Sequence, residues 1–216
     1  MHISEGILSA PVLISGMALA VAGTAVGLKK LEEEKIPRAA ILSAAFFVAS
    51  LIHVPIGPSS AHLILNGIVG LLLGWAAFPA ILIALLLQGI LFQFGGITTL
   101  GVNTVIMALP AVLCHYFFGY FIHKKDPVSF AAAFACGFFS VFLSGIIVGA
   151  SLMFTEENFL EVASAVVIAH LPVMVIEGLI AGFCIRFLKK VHPELLPGWD
   201  QDDIPVAGKR PEAIEG

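Results

Sequence analysis

The sequence predicts an all-α, polytopic membrane protein with seven transmembrane helices. Hydrophobic residues make up 59% of the chain, charged residues only 12%, and the mean hydropathy is +1.01. A soluble domain carries about 25% charged residues, so this chain has too few to cover a water-facing surface. Several apolar stretches reach about 18 residues, long enough to cross a hydrocarbon core as helices. The alternation of polar and apolar positions that is typical of a transmembrane β-barrel is absent.

Seven apolar segments support this count. The third and fourth are separated only by a short turn within residues 74–79, so six helices is the alternative count. The segments span residues 8–28, 39–54, 61–76, 78–94, 101–122, 128–154 and 162–188.

The basic residues predict the orientation of the helices. All 11 Lys and Arg residues follow segment 1, follow segment 5 or end the chain. With seven helices these places share one side, which the positive-inside rule assigns to the cytoplasm. A six-helix count would put basic clusters on both sides. We therefore expect the N-terminus outside and the C-terminus inside, with no Lys or Arg in the outer loops 1–7, 55–60, 95–100 and 155–161.

The two ends of the sequence predict a retained N-terminus and a polar C-terminal tail. A signal peptide begins with a positively charged region, whereas residues 1–8 contain no Lys or Arg. The first apolar run is also too long for a signal sequence and has no obvious cleavage site, so we expect Met1 to be retained. Residues 191–216 are polar and contain four prolines. We expect a transmembrane domain over residues 1–190 and a polar cytoplasmic tail over residues 191–216.

Three outer segments bring nitrogen and hydroxyl groups to the same depth, at the outer side of the membrane. These groups could be ordinary loop residues, but the absence of Lys and Arg among them favours a binding site. They are Met1 and His2 before helix 1, Ser59, Ser60 and His62 at the outer end of helix 3, and Thr98, Thr99 and Asn103 at the outer end of helix 5.

His2 can chelate a metal together with the start of the chain. A free amine at Met1, the amide nitrogen of His2 and an imidazole nitrogen of His2 would form fused five- and six-membered rings. Three nitrogens in a plane leave one position open, and square-planar nitrogen sites select Ni(II) or Cu(II). His62 is the natural fourth ligand, and His53 is its best substitute.

Glu177 is the only acidic residue deep in an apolar segment. Charged residues within the membrane are costly and usually functional. A structural reading is equally open: Glu177 could be protonated or bonded to a neighbouring helix. His170 lies on the same helix face but about 10 Å away, too far for direct contact.

Several signatures are missing from the sequence. Without GxxxxGK[ST] the chain has no P-loop for ATP, and without HExxH or GxSxG it lacks the common hydrolase motifs. No basic patch suggests nucleic acid, and the three cysteines show no CxxC spacing.

Four sequence motifs, in order, resemble the CbiM/NikM family. This family comprises the substrate-specificity subunits of energy-coupling-factor transporters for cobalt and nickel. The resemblance covers residues 1 to about 197. The motifs are MHISEGILS at the start, PIGPSSAHLILNGIVGLLLG at 55–74, GGITTLGVNTVIMALP at 95–110 and HLPVMVIEGLIAGF at 170–183.

The resemblance implies a metal-capture subunit in the cell membrane of a prokaryote. It implies Met1, His2 and His62 as metal ligands, with divalent cobalt or nickel as the transported substrate and no bound cofactor. Ser60, Thr98, Asn103 and Glu177 are candidates to support or gate the site. The implied partners are a transmembrane coupling subunit, a small accessory membrane subunit and cytoplasmic ATPases.

Three other functions fit these residues less well. An intramembrane metal-dependent enzyme would need an open catalytic site, for which only Glu177 and His170 offer a hint. A specificity subunit for another small substrate is disfavoured by the Met-His start. A passive channel would show a polar stripe along several helices, and none is present.

Overall fold

The computed structural model describes residues 2–51, 53–56, 59–155 and 167–198. For residues 53–56 and 59–61 it describes the backbone. Met1, almost all of the acidic 155–161 loop and most of the C-terminal tail lie outside the described residues.

Seven α-helices lie wholly within the part of the chain that the structure describes, and residues 167–169 are helical as well. Four of them carry proline as their second residue, where its missing N–H has no intrahelical partner to lose. The helices are α1 (Ala10–Lys30), α2 (Ile36–Ala49), α3 (Asn66–Leu73), α4 (Ala77–Phe92), α5 (Leu100–Phe118), α6 (Asp126–Met153) and α7 (Leu171–Val191).

Two of these helices are short. At about 1.5 Å per residue, the 14 residues of α2 extend about 21 Å and the 8 residues of α3 about 12 Å. Both are shorter than a hydrocarbon core of about 30 Å. The expectation that segments 2 and 3 each form an uninterrupted spanning helix was therefore wrong. Five stretches of the described residues are long and apolar enough to cross a membrane, namely Ala10–Lys30, Asn66–Phe92, Leu100–His123, Asp126–Met153 and Leu171–Val191.

The short helix α3 runs beside α5 in the same direction. At its start, Asn66 donates from Nδ2 to the Met107 carbonyl at 3.1 Å. One turn later Gly70 lies so close to Ala111 that any side chain would collide with the Ala111 carbonyl. This close approach requires glycine and seats α3 deep in the bundle, where it also packs against α6.

The chain reverses direction between α3 and α4. Gly74 has a φ of +54°, a left-handed conformation that glycine adopts without steric penalty. After it, Trp75 Nε1 donates to the Tyr116 hydroxyl at 2.9 Å, near the end of α5. At the other end of α4, Gln88 contacts His2, near the start of α5. The stretch Asn66–Phe92 is therefore two helices of opposite direction.

A β-hairpin replaces the predicted helix ends around residue 60. Strands β1 (His53–Ile56) and β2 (Ser59–His62) pair antiparallel, with His53 opposite His62. The prediction that Ser60 and His62 lie at the outer end of helix 3 was wrong. Pro55 within β1 has no N–H to donate and disfavours a continuation of the preceding helix.

The described basic residues gather at one end of the bundle. Lys189 Nζ lies 3.5 Å from an Asp126 carboxylate oxygen and donates to the Lys124 carbonyl at 2.6 Å. Arg38 reaches the Glu194 carbonyl at 3.5 Å. The opposite end carries the N-terminal segment, the hairpin and the 93–99 loop. The structure thus separates a basic end from an end that carries His2 and His62.

Candidate metal-capture site

The N-terminal segment folds back so that two histidine rings meet. His2 and His62 are buried, with 5% and 3% of their surface exposed. Their ring centroids lie 4.6 Å apart and the ring planes differ by 24°. The sequence predicted these two residues as metal ligands, and the structure brings them together from positions 60 residues apart in the chain.

The His62 ring is oriented by the main chain beside it. Its Nδ1 lies 2.8 Å from the Leu63 carbonyl, which can only accept a hydrogen bond. Nδ1 therefore carries the proton, and the lone pair of the neutral ring is on Nε2. Burial lowers the pKa of His62 well below its usual value, and the positive charge of a protonated His2 adds to this effect. The neutral imidazole is the form that binds metal.

The His2 ring contacts a residue that the sequence analysis did not single out. Its Nε2 lies 2.8 Å from Gln88 Oε1, and Gln88 Nε2 donates to Ser50 Oγ. Gln88 and Ser50 are both fully buried. The available signal was that Gln88 is the single polar side chain in the apolar run of α4. A polar residue in such a segment is expected to have a specific partner.

Asn103 holds the chain immediately after His2. Its Oδ1 accepts from the Ile3 amide at 2.9 Å, and its Nδ2 donates to the Ile3 carbonyl at 3.1 Å. Nδ2 also lies 3.2 Å from Thr99 Oγ1. Ile3 is fully buried, so the Asn103 amide satisfies main-chain groups that water does not reach. Asn103 thus fixes the main chain immediately after His2.

A second clamp on the N-terminal segment involves Thr98. Glu5 accepts from the Thr98 amide at 3.0 Å and from the Thr98 hydroxyl at 3.3 Å. The backbone hydrogen bond from Thr98 lowers the pKa of Glu5, because it favours the charged carboxylate. Thr98 and Asn103 thus fasten the same segment at two points.

Glu177 contacts the backbone that follows His62. Its carboxylate accepts from the Ile64 amide and from the Leu65 amide, the latter at 2.8 Å and 3.0 Å to its two oxygens. Leu65 has a φ of +56° and precedes the first residue of α3. The carboxylate therefore satisfies amides at the start of a buried helix, which have no intrahelical acceptor. No contact of Glu177 with either histidine ring occurs among the described hydrogen bonds.

For two other candidate site residues the structure describes only the backbone. The backbone of His53 is the register partner of His62, and Ser60 lies in the same hairpin opposite Pro55, but their side chains lie outside the described residues, as does Met1. Among the described residues, no group of three or more His, Cys, Asp and Glu side chains could hold a metal.

The fold and its paired imidazoles define a multi-pass membrane protein with two buried, stacked histidine rings at one end of a helical bundle. The class is a membrane transport protein for cobalt or nickel rather than an enzyme. The chain belongs to the CbiM family, described as the cobalt uptake substrate-specific transmembrane region, which matches residues 2–195.

Relatives and a solved structure agree with this assignment. A putative metal transport protein of Haemophilus influenzae is 45% identical over 199 residues, covering 91% of this chain and 97% of that protein. A fused nickel transport protein NikMN of Rhodobacter capsulatus is 40% identical over 115 residues, covering 50% of this chain and 33% of that protein. A crystal structure of a transition metal transporter superposes with a TM-score of 0.74 at 27% identity, covering 88% of this chain and 93% of that one.

Proposed function

We propose that this chain is the substrate-binding membrane subunit of an ATP-driven energy-coupling-factor importer for divalent cobalt or nickel. The single observation that carries the proposal is the buried pair of imidazoles, His2 and His62, with ring centroids 4.6 Å apart. Imidazole suits both metals. The metal is the transported substrate, captured at the end of the bundle opposite the basic residues.

The proposed ligands are the Met1 amine, the His2 amide nitrogen, the His2 imidazole and the His62 imidazole. Two imidazoles supply only two donors, and the described residues hold no larger cluster of metal-binding side chains. Main-chain nitrogen at the start of the chain is the nearest further source, because it is covalently attached to His2. Four nitrogens in one plane suit Ni(II) and Cu(II) best, and metal availability sets the choice in a cell.

The proposed orientation places this site outside and the basic end in the cytoplasm. All of the described Lys and Arg residues lie at the end opposite His2, as the positive-inside rule requires. The tail after residue 190 would then be cytoplasmic, and residues 1–190 would form the metal-capture domain.

The proposed partners supply what this sequence lacks. The sequence contains no P-loop, so ATP hydrolysis would fall to separate cytoplasmic ATPases. A transmembrane coupling subunit would link them to this chain. The name of the Rhodobacter relative marks a fusion of two components, which favours a small accessory membrane subunit as a further partner.

The test compares three forms of the purified protein: the native chain, one extended before Met1 and one extended after Gly216. Extension before Met1 turns its amine into a peptide amide, which must lose a proton to bind metal. We expect one Ni(II) or Co(II) per chain for the native and C-terminally extended forms, and none for the N-terminally extended form. Bound metal is measured by elemental analysis after removal of free metal.

A cleavable extension provides the matched control. A protease that cuts immediately before Met1 should restore binding to the same preparation, which excludes misfolding as the cause of the loss. Full binding by the uncut form would remove the Met1 amine from the ligand set. Absence of binding in every form, including the native chain, would contradict the proposed function itself.

A further inference from the structure

We propose that Gln88, held by Ser50, is a positioning residue that sets the tautomer and the orientation of the His2 ring, so that Nδ1 faces the captured metal. This inference rests on the proposed function, because it assigns a role to a residue beyond the metal ligands. It starts from a buried chain of hydrogen bonds that links His2 to the end of helix α2.

A main-chain carbonyl at one end determines which groups donate and which accept along this chain of hydrogen bonds. Ser50 Oγ lies 2.8 Å from the Phe47 carbonyl, one of the last carbonyls of α2, which lack an intrahelical partner. A carbonyl can only accept, so the single proton of the Ser50 hydroxyl is directed to Phe47. Toward Gln88, Ser50 must then accept.

The same logic fixes the Gln88 amide. Because Ser50 accepts, Gln88 directs its Nε2 donor to Ser50 and its Oε1 acceptor to His2. An oxygen acceptor 2.8 Å from His2 Nε2 requires that this nitrogen carry the proton. The lone pair of the neutral His2 ring therefore lies on Nδ1.

Nδ1 is the ring nitrogen that the proposed chelate needs. A ring formed by the metal, the His2 amide nitrogen, Cα, Cβ, Cγ and Nδ1 has six members. Nε2 is on the far side of the imidazole and cannot close such a ring with the amide of the same residue. The tautomer that Gln88 selects is thus the one that allows His2 to bind through both its main chain and its side chain.

Burial strengthens the preference for the His2 tautomer that is protonated on Nε2. Gln88 and Ser50 are fully buried, and His2 is 5% exposed, so water does not compete for these bonds. If the proton moved from Nε2 to Nδ1, Gln88 Oε1 would face the Nε2 lone pair, and a buried acceptor without a donor costs about 1–3 kcal/mol. Groups that hold a metal-binding histidine through its other nitrogen typically change metal affinity by about 10–100-fold when removed.

The test uses Gln88→Leu, Gln88→Glu and Ser50→Ala in the full-length chain with its native N-terminus. The Leu side chain has similar volume but no acceptor, so Ni(II) affinity should fall by about 10–100-fold. Glu retains an acceptor for His2 Nε2–H and should restore most of the affinity. Ser50→Ala frees the Gln88 amide to turn over and should give an intermediate loss. Affinity is measured by titration of the purified protein with Ni(II).

Ser43→Ala is the matched control. Ser43 is also buried in α2 and donates to the Ala80 carbonyl of α4 at 2.7 Å, yet it has no contact with His2 in the described structure. The Ser43→Ala substitution removes a hydrogen bond between α2 and α4, the helices that Ser50 and Gln88 also connect. We expect a lower unfolding temperature and unchanged Ni(II) affinity.

A spectroscopic measurement reads the tautomer directly. With ¹⁵N-labelled histidine, the metal-free native chain should show His2 protonated on Nε2, its signal being identified by comparison with His2→Ala. Gln88→Leu should show a mixture of tautomers. A native His2 protonated on Nδ1, or native affinity in a folded Gln88→Leu variant, would overturn the inference while the proposed function stands. If the native chain binds no Ni(II), the proposed function fails instead.

Discussion

The clamp between Asn103 and Ile3 predicts a large effect from a residue that does not bind metal. Replacing Asn103 by Leu keeps the volume but removes both the acceptor for the Ile3 amide and the donor to the Ile3 carbonyl. Both main-chain groups belong to a fully buried residue. Each buried group left without a partner costs about 1–3 kcal/mol, so the docked N-terminal segment should lose about 2–6 kcal/mol.

The lost docking free energy lowers the apparent metal affinity because fewer chains have the N-terminal segment docked. The apparent dissociation constant rises in inverse proportion to the fraction of chains in the docked form. Because about 1.4 kcal/mol corresponds to a tenfold change, the lower estimate of 2 kcal/mol allows a loss of up to about 30-fold once undocked chains predominate. Asn103→Asp should be intermediate, since a carboxylate still accepts from the Ile3 amide but cannot donate to its carbonyl.

Two measurements test the prediction together: Ni(II) titration of the native-ended protein and hydrogen exchange of the N-terminal peptide. Thr104→Ala is the control, because Thr104 is the buried neighbour in α5 and donates only within its own helix, to the Leu100 carbonyl at 2.8 Å. Its exchange and affinity should match those of the native chain. If a folded Asn103→Leu variant kept native affinity and native protection, the clamp would have no part in metal capture.

Three further predictions concern the same end of the bundle. His62→Ala should lose most of the Ni(II) affinity without unfolding, because a methyl group cannot replace an imidazole ligand, whereas His53→Ala should lose less; the reverse order in titrations would reassign the fourth ligand. Glu177→Gln should bind metal normally in detergent, because one amide oxygen can still accept from the backbone after His62, and should unfold at a lower temperature; a large affinity loss in a folded variant would move Glu177 into the site. Glu5 has a pKa lowered by its bond from the Thr98 amide, so its contribution to folding is present above the ordinary value of 4.5 and is lost as the pH falls through the lowered value. Hydrogen exchange at the Thr98 amide, corrected for intrinsic rates, should therefore quicken at acidic pH in the native chain but not in Glu5→Gln; equal pH dependence in both would contradict the clamp.

The long helices could be predicted from the sequence because an apolar run long enough to cross a membrane favours a helix. The hairpin could not, since its strands include the ends of two apolar segments and their pairing depends on tertiary packing as well as on Pro55. The reversal at Gly74 was anticipated as a short turn between two segments. The shortness of α3 was not, because an apolar run does not show where a buried helix starts.

The candidate site divides in the same way. His2 and His62 were predictable because their chemistry is distinctive and because the motifs around them resemble a known family. Gln88 was not, since its importance lies in a contact with a residue 86 positions away. Asn103 was named as a candidate from its place at the end of an apolar segment, but its two bonds to Ile3 follow only from the folded backbone.

The anchoring of residue 3 by residue 103 also bears on the order in which the protein is made. At about 5–20 residues per second, the ribosome adds the 100 residues from position 4 to position 103 in about 5–20 seconds. Throughout that interval the first residues of the nascent chain have no Asn103 to bind. In the proposed orientation, the N-terminal end would be translocated early and would wait until α5 has been inserted. A chain arrested before that point would lack the Asn103 clamp on its first residues, so under the proposed function translation itself delays the first possible encounter with metal.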